Sequence, residues 1–190
     1  MSKDTVLDSV NAALKLYANG EDSIHLDDIA YPVMVRKGFW LGTGASKEAF
    51  SAHIDKQLLH LFLEITEFME SGDYEADELA DVLIVLADLA GGLGQPILGY
   101  WLNYNPASVT GGNLYGAARR IGQQWRKTGH VEPGAWRLMC ETIARVANAF
   151  DIDIRMEFVH KMYVNMEREN LYGTPESGER VSGGDSRPAD

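Results

Sequence analysis

Two pairs of acidic residues have the residue types and spacing that could hold a metal ion. Glu64 and Glu67 form one pair, and Glu78 and Asp81 form the other. Residues three apart lie on the same face of an α-helix, so each pair directs two carboxylates to one side. Most positions around both pairs are Leu, Ile, Val, Phe or Ala, which makes each polar stripe narrow. A lone ExxE pair is usually two surface acids, but two pairs with apolar flanks favour a metal site.

The short segment between the pairs predicts a reversal of the chain. Residues 70–74 read Glu-Ser-Gly-Asp-Tyr, which are residues that end helices and form turns. The two helices would then fold back antiparallel and bring their carboxylates together. Like charges at short range repel unless a cation or a proton compensates them, and carboxylate oxygens suit Mg²⁺ or Mn²⁺. We therefore predict a metal site made of Glu64, Glu67, Glu78 and Asp81.

Other polar residues continue the same two stripes. His53, Lys56 and His60 lie on the stripe of the first helix, and Asp88 lies on the stripe of the second. The first three could tune the acids from the second layer around a metal. They could equally be capped or salt-bridged surface positions.

A cationic stripe is predicted near the end of the chain. Lys161, Asn165 and Arg168 stand at i, i+4 and i+7, within one face of a helix. Facing a metal held by carboxylates, such a face suits a polyphosphate, with lysine as a point charge and arginine as a two-pronged donor. Taken alone, the same pattern is more typical of a solvated helix edge with ordinary salt bridges.

Composition excludes several classes of protein. The 190 residues suffice for one good core, and the net charge of −11 disfavours binding to a nucleic acid polymer. The start of the sequence has no signal-type apolar run, and the most apolar stretch contains Asp81 and Asp88. Cys140 is the only cysteine, so no disulfide can form within the chain. We expect a cytoplasmic protein without a membrane segment.

Periodicity predicts an all-α fold. Helical spacing occurs at about 6–17, 46–71, 74–90, 113–128, 133–150 and 154–170, with Gly91-Gly92 expected to end the third of these helices. Residues 21–45 contain Pro32 and several glycines and are predicted to be an ordered loop. Residues 94–112 are predicted to be a connector or a pocket wall. The tail, 173–190, has almost no apolar residues and is predicted to be disordered.

Together, these motifs resemble those of the MazG-like, all-α nucleoside triphosphate pyrophosphohydrolase superfamily. The resemblance rests on Glu64-Ile-Thr-Glu67, on Glu78-Leu-Ala-Asp81 with the apolar run that follows it, and on the closing helix with Lys161, Asn165 and Arg168. It covers about 53–93 and 145–170. It implies one antiparallel helix bundle over 1–172 that carries the carboxylate metal site. Asp81 and Lys161 are farther apart than in compact members, which implies a helical insertion at about 94–145.

The resemblance also implies a reaction and a role for each residue. A nucleoside or deoxynucleoside triphosphate (dNTP) would be hydrolysed to the monophosphate and pyrophosphate, in nucleotide-pool control. Mg²⁺, or alternatively Mn²⁺, would be held by the four carboxylates, with Glu67 also taking a proton from water. Lys161 and Arg168 would hold the departing pyrophosphate, Asn165 would donate to phosphate or sugar, and Lys56 joins the substrate-binding residues. Members usually form oligomers, and the wide apolar arcs of the two acidic helices also predict a homodimer or homotetramer.

Three alternative functions remain open at this point. A related enzyme of the same superfamily could act on a phosphoribosyl-nucleotide such as phosphoribosyl-ATP. A non-enzymatic helical interaction module would show no metal effect and no turnover. A di-iron carboxylate protein needs two Glu-x-x-His units, and only Glu157 with His160 matches that pattern.

Overall fold

The structure is a computed structural model that describes residues 3–71, 74–103 and 113–167. These ranges contain two short 3₁₀ turns, Thr43–Ala45 and Gly99–Leu102, and no β-strand. The all-α prediction is confirmed. The helices of the described ranges are α1 (Lys3–Ala18), α2 (Asp27–Arg36), α3 (Lys47–Glu70), α4 (Ala76–Gly92), α5 (Leu114–Thr128), α6 (Pro133–Ala149) and α7 (Ile154–Glu167).

Helix α4 lies at the centre of the fold. It packs against α2, α3, α6 and α7, and every residue from 82 to 90 is buried. A helix that is apolar on nearly all sides needs neighbours all round it, which is why the other helices surround this one. The exception is its first turns, where Glu78 and Asp81 remain partly exposed.

Helices α3 and α4 pass each other in opposite directions. Ser46 caps α3, its Oγ accepting a hydrogen bond of 3.1 Å from the amide of Ala49. Glu64 lies beside Asp81, whereas His60, one turn earlier in α3, acts electrostatically on Asp88, two turns later in α4. Residues 72 and 73, which fall in the segment predicted as a turn, lie outside the described residues.

The prediction of a loop over residues 21–45 is wrong, because this segment contains α2. Asp27 and Asp28 favour the helix start electrostatically, and Pro32 removes one backbone hydrogen bond without ending the helix. Four of its residues, Ile29, Ala30, Val33 and Met34, are buried. Packing against α4 therefore outweighs the local preference of proline.

Gly91 and Gly92 also behave differently from the prediction, since α4 continues through both. A Cβ atom at Gly92 would lie 1.8 Å from Cη2 of Trp40, and one at Gly91 would lie 2.4 Å from Cβ of Tyr31. The glycines thus allow two aromatic side chains from the α2 region to pack directly on the α4 backbone.

The structure describes only part of the remaining predicted segments. Helices α5 and α6 occupy most of the region predicted as an insertion, 94–145, and α5 packs against α3 and α6. The predicted tail, 173–190, and the end of the closing helix lie outside the described residues. Within the described ranges, no helix has both the length and the apolarity needed to cross a bilayer.

Candidate metal and phosphate site

Three carboxylates from two helices converge at one point. Glu64 of α3 and Glu78 and Asp81 of α4 each place an oxygen within 4.8 Å of the oxygens of the other two. All three side chains are partly buried. Carboxylate oxygens at this spacing can bind one divalent cation together, although they come from two helices. A second acidic group, Glu75, Asp77 and Glu78, shares Glu78 but consists otherwise of exposed residues.

The cluster pays an electrostatic cost for its negative charge. Burial raises the pKa of Glu78, and the charges of Asp77 and Asp81 raise it further. Burial also raises the pKa of Asp81, although the hydrogen bond and charge of Lys161 oppose that rise. Both shifts mean that ionised oxygens here are less stable than in water. A cation placed among them would relieve this cost.

Glu67 lies beside this cluster but is not one of the three residues whose oxygens lie within 4.8 Å of one another. It is exposed on α3, one turn after Glu64. Even its limited burial raises its pKa, and the charge of Glu64 adds to that rise, while His60 opposes it. A carboxyl with a raised pKa beside a group of carboxylates is suited to taking a proton.

Lys161 connects α7 to this cluster. Its Nζ lies 2.6 Å from Oδ2 of Asp81 and 3.2 Å from Oδ2 of Asp77. Burial alone would lower the pKa of Lys161, but the hydrogen bond to Asp81 and its charge outweigh that effect and raise it. The lysine is therefore a firmly charged group at the edge of the carboxylates.

Asn165, one turn after Lys161, contacts a residue that the sequence analysis missed. Lys37, at the end of α2, is only 5% exposed, and its Nζ donates to Oδ1 of Asn165 over 3.4 Å. The amide group of Asn165 is thereby left to donate from its nitrogen. Lys37 was missed because it lies in the segment predicted as a loop, and no local pattern links it to α7. Arg168 lies outside the described residues.

A line of polar side chains, here called the polar seam, runs from the carboxylates toward the middle of α4. It includes His60 and Asp88. His60 Nε2 lies 2.8 Å from Oε1 of Glu64. Farther along, Asp88 is 2% exposed and accepts a hydrogen bond of 2.8 Å from Nε1 of Trp40. Burial raises the pKa of Asp88 to about 7, although the Trp40 hydrogen bond and the charge of His60 oppose the rise. The stripe position of Asp88 was visible in the sequence, but its burial and its indole partner were not.

Two predicted residues on α3, Lys56 and His53, lie toward the Asp88 end of this line of polar residues. Lys56 is exposed. Burial lowers the pKa of His53, and the charge of Lys56 lowers it further. His53 is half-buried, and its ring centroid lies 4.4 Å from that of Trp40. These residues therefore stand near the Asp88 end of the seam and not beside Lys161.

The di-iron alternative gains no support from the described residues. Glu157 and His160 of α7 belong to neither of the acidic groups found there, and His160 is exposed. The two acidic groups contain no histidine ligand. A di-iron carboxylate site requires histidines beside its glutamates.

Comparison with protein-family models, with curated proteins and with solved structures finds no match to this chain. Assignment of a function therefore rests on the residues and geometry of the site itself.

Proposed function

We propose that this protein is a metal-dependent nucleoside triphosphate pyrophosphohydrolase, which converts a nucleoside or deoxynucleoside triphosphate to the monophosphate and pyrophosphate. One observation carries the proposal. Three carboxylates from α3 and α4 converge within 4.8 Å of one another, and a half-buried lysine from α7 lies 2.6 Å from one of them. A cation site next to a fixed positive charge suits a metal-bound polyphosphate. The resemblance of the three motifs to the MazG-like superfamily supports the same reaction.

Each residue has a role in this reaction. Glu64, Glu78 and Asp81, with Glu67 beside them, would hold Mg²⁺ or Mn²⁺. The metal supplies neutralisation of phosphate charge and makes water a stronger acid. Glu67 accepts the proton of the attacking water, because its raised pKa makes it a better base than an ordinary carboxylate.

Lys161 and Asn165 of α7, together with Arg168, act on the leaving group. As the α–β phosphoanhydride breaks, negative charge moves to pyrophosphate, and Lys161 stabilises that charge. Asn165 donates from its amide nitrogen, since its oxygen already accepts from Lys37. Arg168, on the same predicted face of the helix, would bind a phosphate through two nitrogens.

The proposed assembly is a homodimer or a homotetramer. Leu59 and Leu63, one turn apart on α3, are 60% and 50% exposed. Phe62 lies next to them and stacks on Tyr115, which is also exposed. An apolar strip of this kind beside the site supports contact with a second copy of the chain.

The decisive experiment measures pyrophosphate and orthophosphate release from a panel of ribo- and deoxyribonucleoside triphosphates, with Mg²⁺, Mn²⁺ or EDTA. We expect pyrophosphate release that requires a metal. Glu67→Gln should lower the rate by roughly 10²–10⁴-fold, which is the usual contribution of a general base. Glu70→Gln is the matched control, because Glu70 is exposed at the end of the same helix, and it should retain the rate.

Other results would favour the alternative functions. Phosphoribosyl-ATP is assayed beside the panel, and release from it alone would move the proposal to that substrate. No release from any substrate, together with no metal effect on thermal unfolding, would favour the helical interaction module.

A further inference from the structure

Four exposed side chains of α3 form one strip along the helix. Spaced by three, four and four residues, they are Lys56, Leu59, Leu63 and Glu67. This spacing keeps them within about 80° on the helical wheel. The two leucines occupy the middle, the lysine lies toward the start of α3, and the glutamate lies toward its end. The strip therefore has an apolar centre and opposite charges at its two ends.

Neither end of the strip is paired within its own chain. Among the described residues, Lys56 and Glu67 form no salt bridge. They are eleven residues apart on α3, a rise of about 16 Å, so they cannot pair with each other in one copy. Each charge is thus open to a partner from another molecule.

A second copy of α3, packed antiparallel on the strip, complements it. The centre of the strip lies between Leu59 and Leu63, and a two-fold axis there places Leu59 of each copy opposite Leu63 of the other. Lys56 lies about 7.5 Å from this centre along the helix, and Glu67 lies about 9 Å from it in the other direction. Because the axis reverses the helix, the lysine of one copy reaches the level of the glutamate of the other.

The lateral position of the two charges also agrees with this arrangement. On the helical wheel, Lys56 and Glu67 are both turned from the leucines toward the side of Glu64. A two-fold axis that lies across the interface keeps this edge opposite the same edge of the other copy. A parallel pairing would place lysine opposite lysine and glutamate opposite glutamate. Charge complementarity therefore favours a second copy in the antiparallel direction.

We propose that two copies of this chain pair antiparallel through the strip, and that Lys56 of each copy forms an ion pair with Glu67 of the other. The inference names the partner of the proposed site and rests on the proposed function for the role of Glu67. Lys56 is a positioning residue, because it holds the Glu67 carboxylate beside the cluster without contacting the nucleotide. It thus acts at the site of the other copy and not at its own.

A zero-length carbodiimide cross-linker tests the pairing without an assay of activity, because it joins a lysine amine to a carboxylate in contact with it. Peptide mass spectrometry of the wild type should find Lys56 joined to Glu67. The link can form only between copies, since the two residues are about 16 Å apart along α3. Glu67→Gln should abolish this link, whereas Glu48→Gln, at an exposed acid near the start of α3, should retain it.

Replacement of Leu59 by glutamate tests the apolar centre of the strip. Leu59→Glu should halve the molar mass in solution, because pairing would bury an uncompensated carboxylate. Leu16→Glu is the matched control, since Leu16 is 52% exposed on α1, and it should keep the wild-type mass. Light scattering measures both variants. An unchanged mass for Leu59→Glu would overturn the proposed contact.

Mixed dimers test whether Lys56 acts across the interface. Lys56→Met should lower kcat by about tenfold or more with little change in KM, because a misplaced base slows the reaction and leaves binding intact. Co-expression of Lys56→Met with Glu67→Gln should restore about a quarter of the wild-type rate, since half of the dimers are mixed and each has one site with both native residues. No restoration would mean that Lys56 acts within its own chain.

The outcomes separate this inference from the proposed function. A link between Lys56 and Glu67 without pyrophosphate release would retain the pairing and overturn the proposed reaction. Metal-dependent release by a protein that remains a single chain in solution would retain the reaction and overturn the pairing. Absence of the link from a wild-type dimer would also overturn the pairing, because the copies would then meet through another surface.

Discussion

Lys161 of α7 and Asp81 of α4 form a hydrogen-bonded ion pair, with 2.6 Å between Nζ and Oδ2. The lysine thereby occupies one of the carboxylate oxygens that a divalent cation would use. Binding of a metal and retention of this ion pair would therefore compete. A divalent cation held by Glu64, Glu78 and Asp81 would use that oxygen, and Lys161 would then be available to a phosphate.

Replacing Lys161 by methionine should reveal this competition. In the absence of metal, Lys161→Met should lower the free energy of unfolding by about 1.5–3 kcal/mol, the range for a hydrogen bond to a charged group. Added Mg²⁺ or Mn²⁺ should stabilise the variant more than the wild type, because the metal no longer displaces a bound cation. Urea unfolding with metal and with EDTA measures both effects. Lys56→Met, at an exposed position, is the control, and equal metal stabilisation of Lys161→Met and wild type would contradict the competition.

Glu78→Gln should have opposite effects with and without metal. Burial and the charges of Asp77 and Asp81 raise the pKa of Glu78, so removing its charge relieves repulsion. The metal-free variant should melt at a higher temperature than the wild type, by about 2–4 °C for each kcal/mol gained. Its melting temperature should no longer respond to Mg²⁺. Glu75→Gln alters an exposed acid of the neighbouring group and should keep the metal response, and loss of that response would place the metal in the neighbouring group instead.

The pH dependence of stability should carry a contribution from Asp88. Its pKa is raised by burial from the ordinary value of 3.8 to about 7 in the folded state. Between these values the folded state binds a proton that the unfolded state lacks. The contribution of Asp88 to stability is therefore complete below about pH 4 and falls by up to about 1.4 kcal/mol for each pH unit until about pH 7.

Asp88→Asn isolates this contribution, since the other carboxyls with raised pKa values are present in both proteins. The unfolding free energy of the variant minus that of the wild type should increase from pH 4 to pH 7 and stay constant above pH 7. Chemical unfolding at a series of pH values measures this difference. A difference that does not vary with pH would mean that Asp88 titrates alike in the folded and unfolded states.

Gly92→Ala should destabilise the protein through Trp40. The added Cβ would lie 1.8 Å from Cη2 of the indole, so the ring or the helix must move. Overpacking of this kind costs about 1–3 kcal/mol. Gly134→Ala is the matched control, because a Cβ there meets no atom within 4 Å, and it should be neutral or slightly stabilising. Thermal unfolding of the two variants is the measurement, and equal stabilities would show that Trp40 moves at little cost.

Features that depend on neighbours along one helix could be predicted from the sequence alone. Periodicity and the Ser46 cap predicted α3, and the three-residue spacing of Glu78 and Asp81 already placed both carboxylates on one side of α4. The turn residues after Glu70 predicted the reversal that brings Glu64 to them. These are local properties, because helix geometry alone relates residues a few positions apart.

The contacts between helices could not be predicted from the sequence, because they depend on packing between distant segments. Helix α2 was missed because Pro32 and the glycines carry a strong local signal, whereas burial against α4 is a distant interaction. Gly91 and Gly92 were expected to end the helix, because the sequence does not show that Tyr31 and Trp40 pack on them. The contacts of Lys37 with Asn165 and of Trp40 with Asp88 join residues 128 and 48 positions apart. Such contacts, and the pKa values that follow from burial, depend on how side chains from several helices fill one shared volume, and no single stretch of sequence specifies that packing.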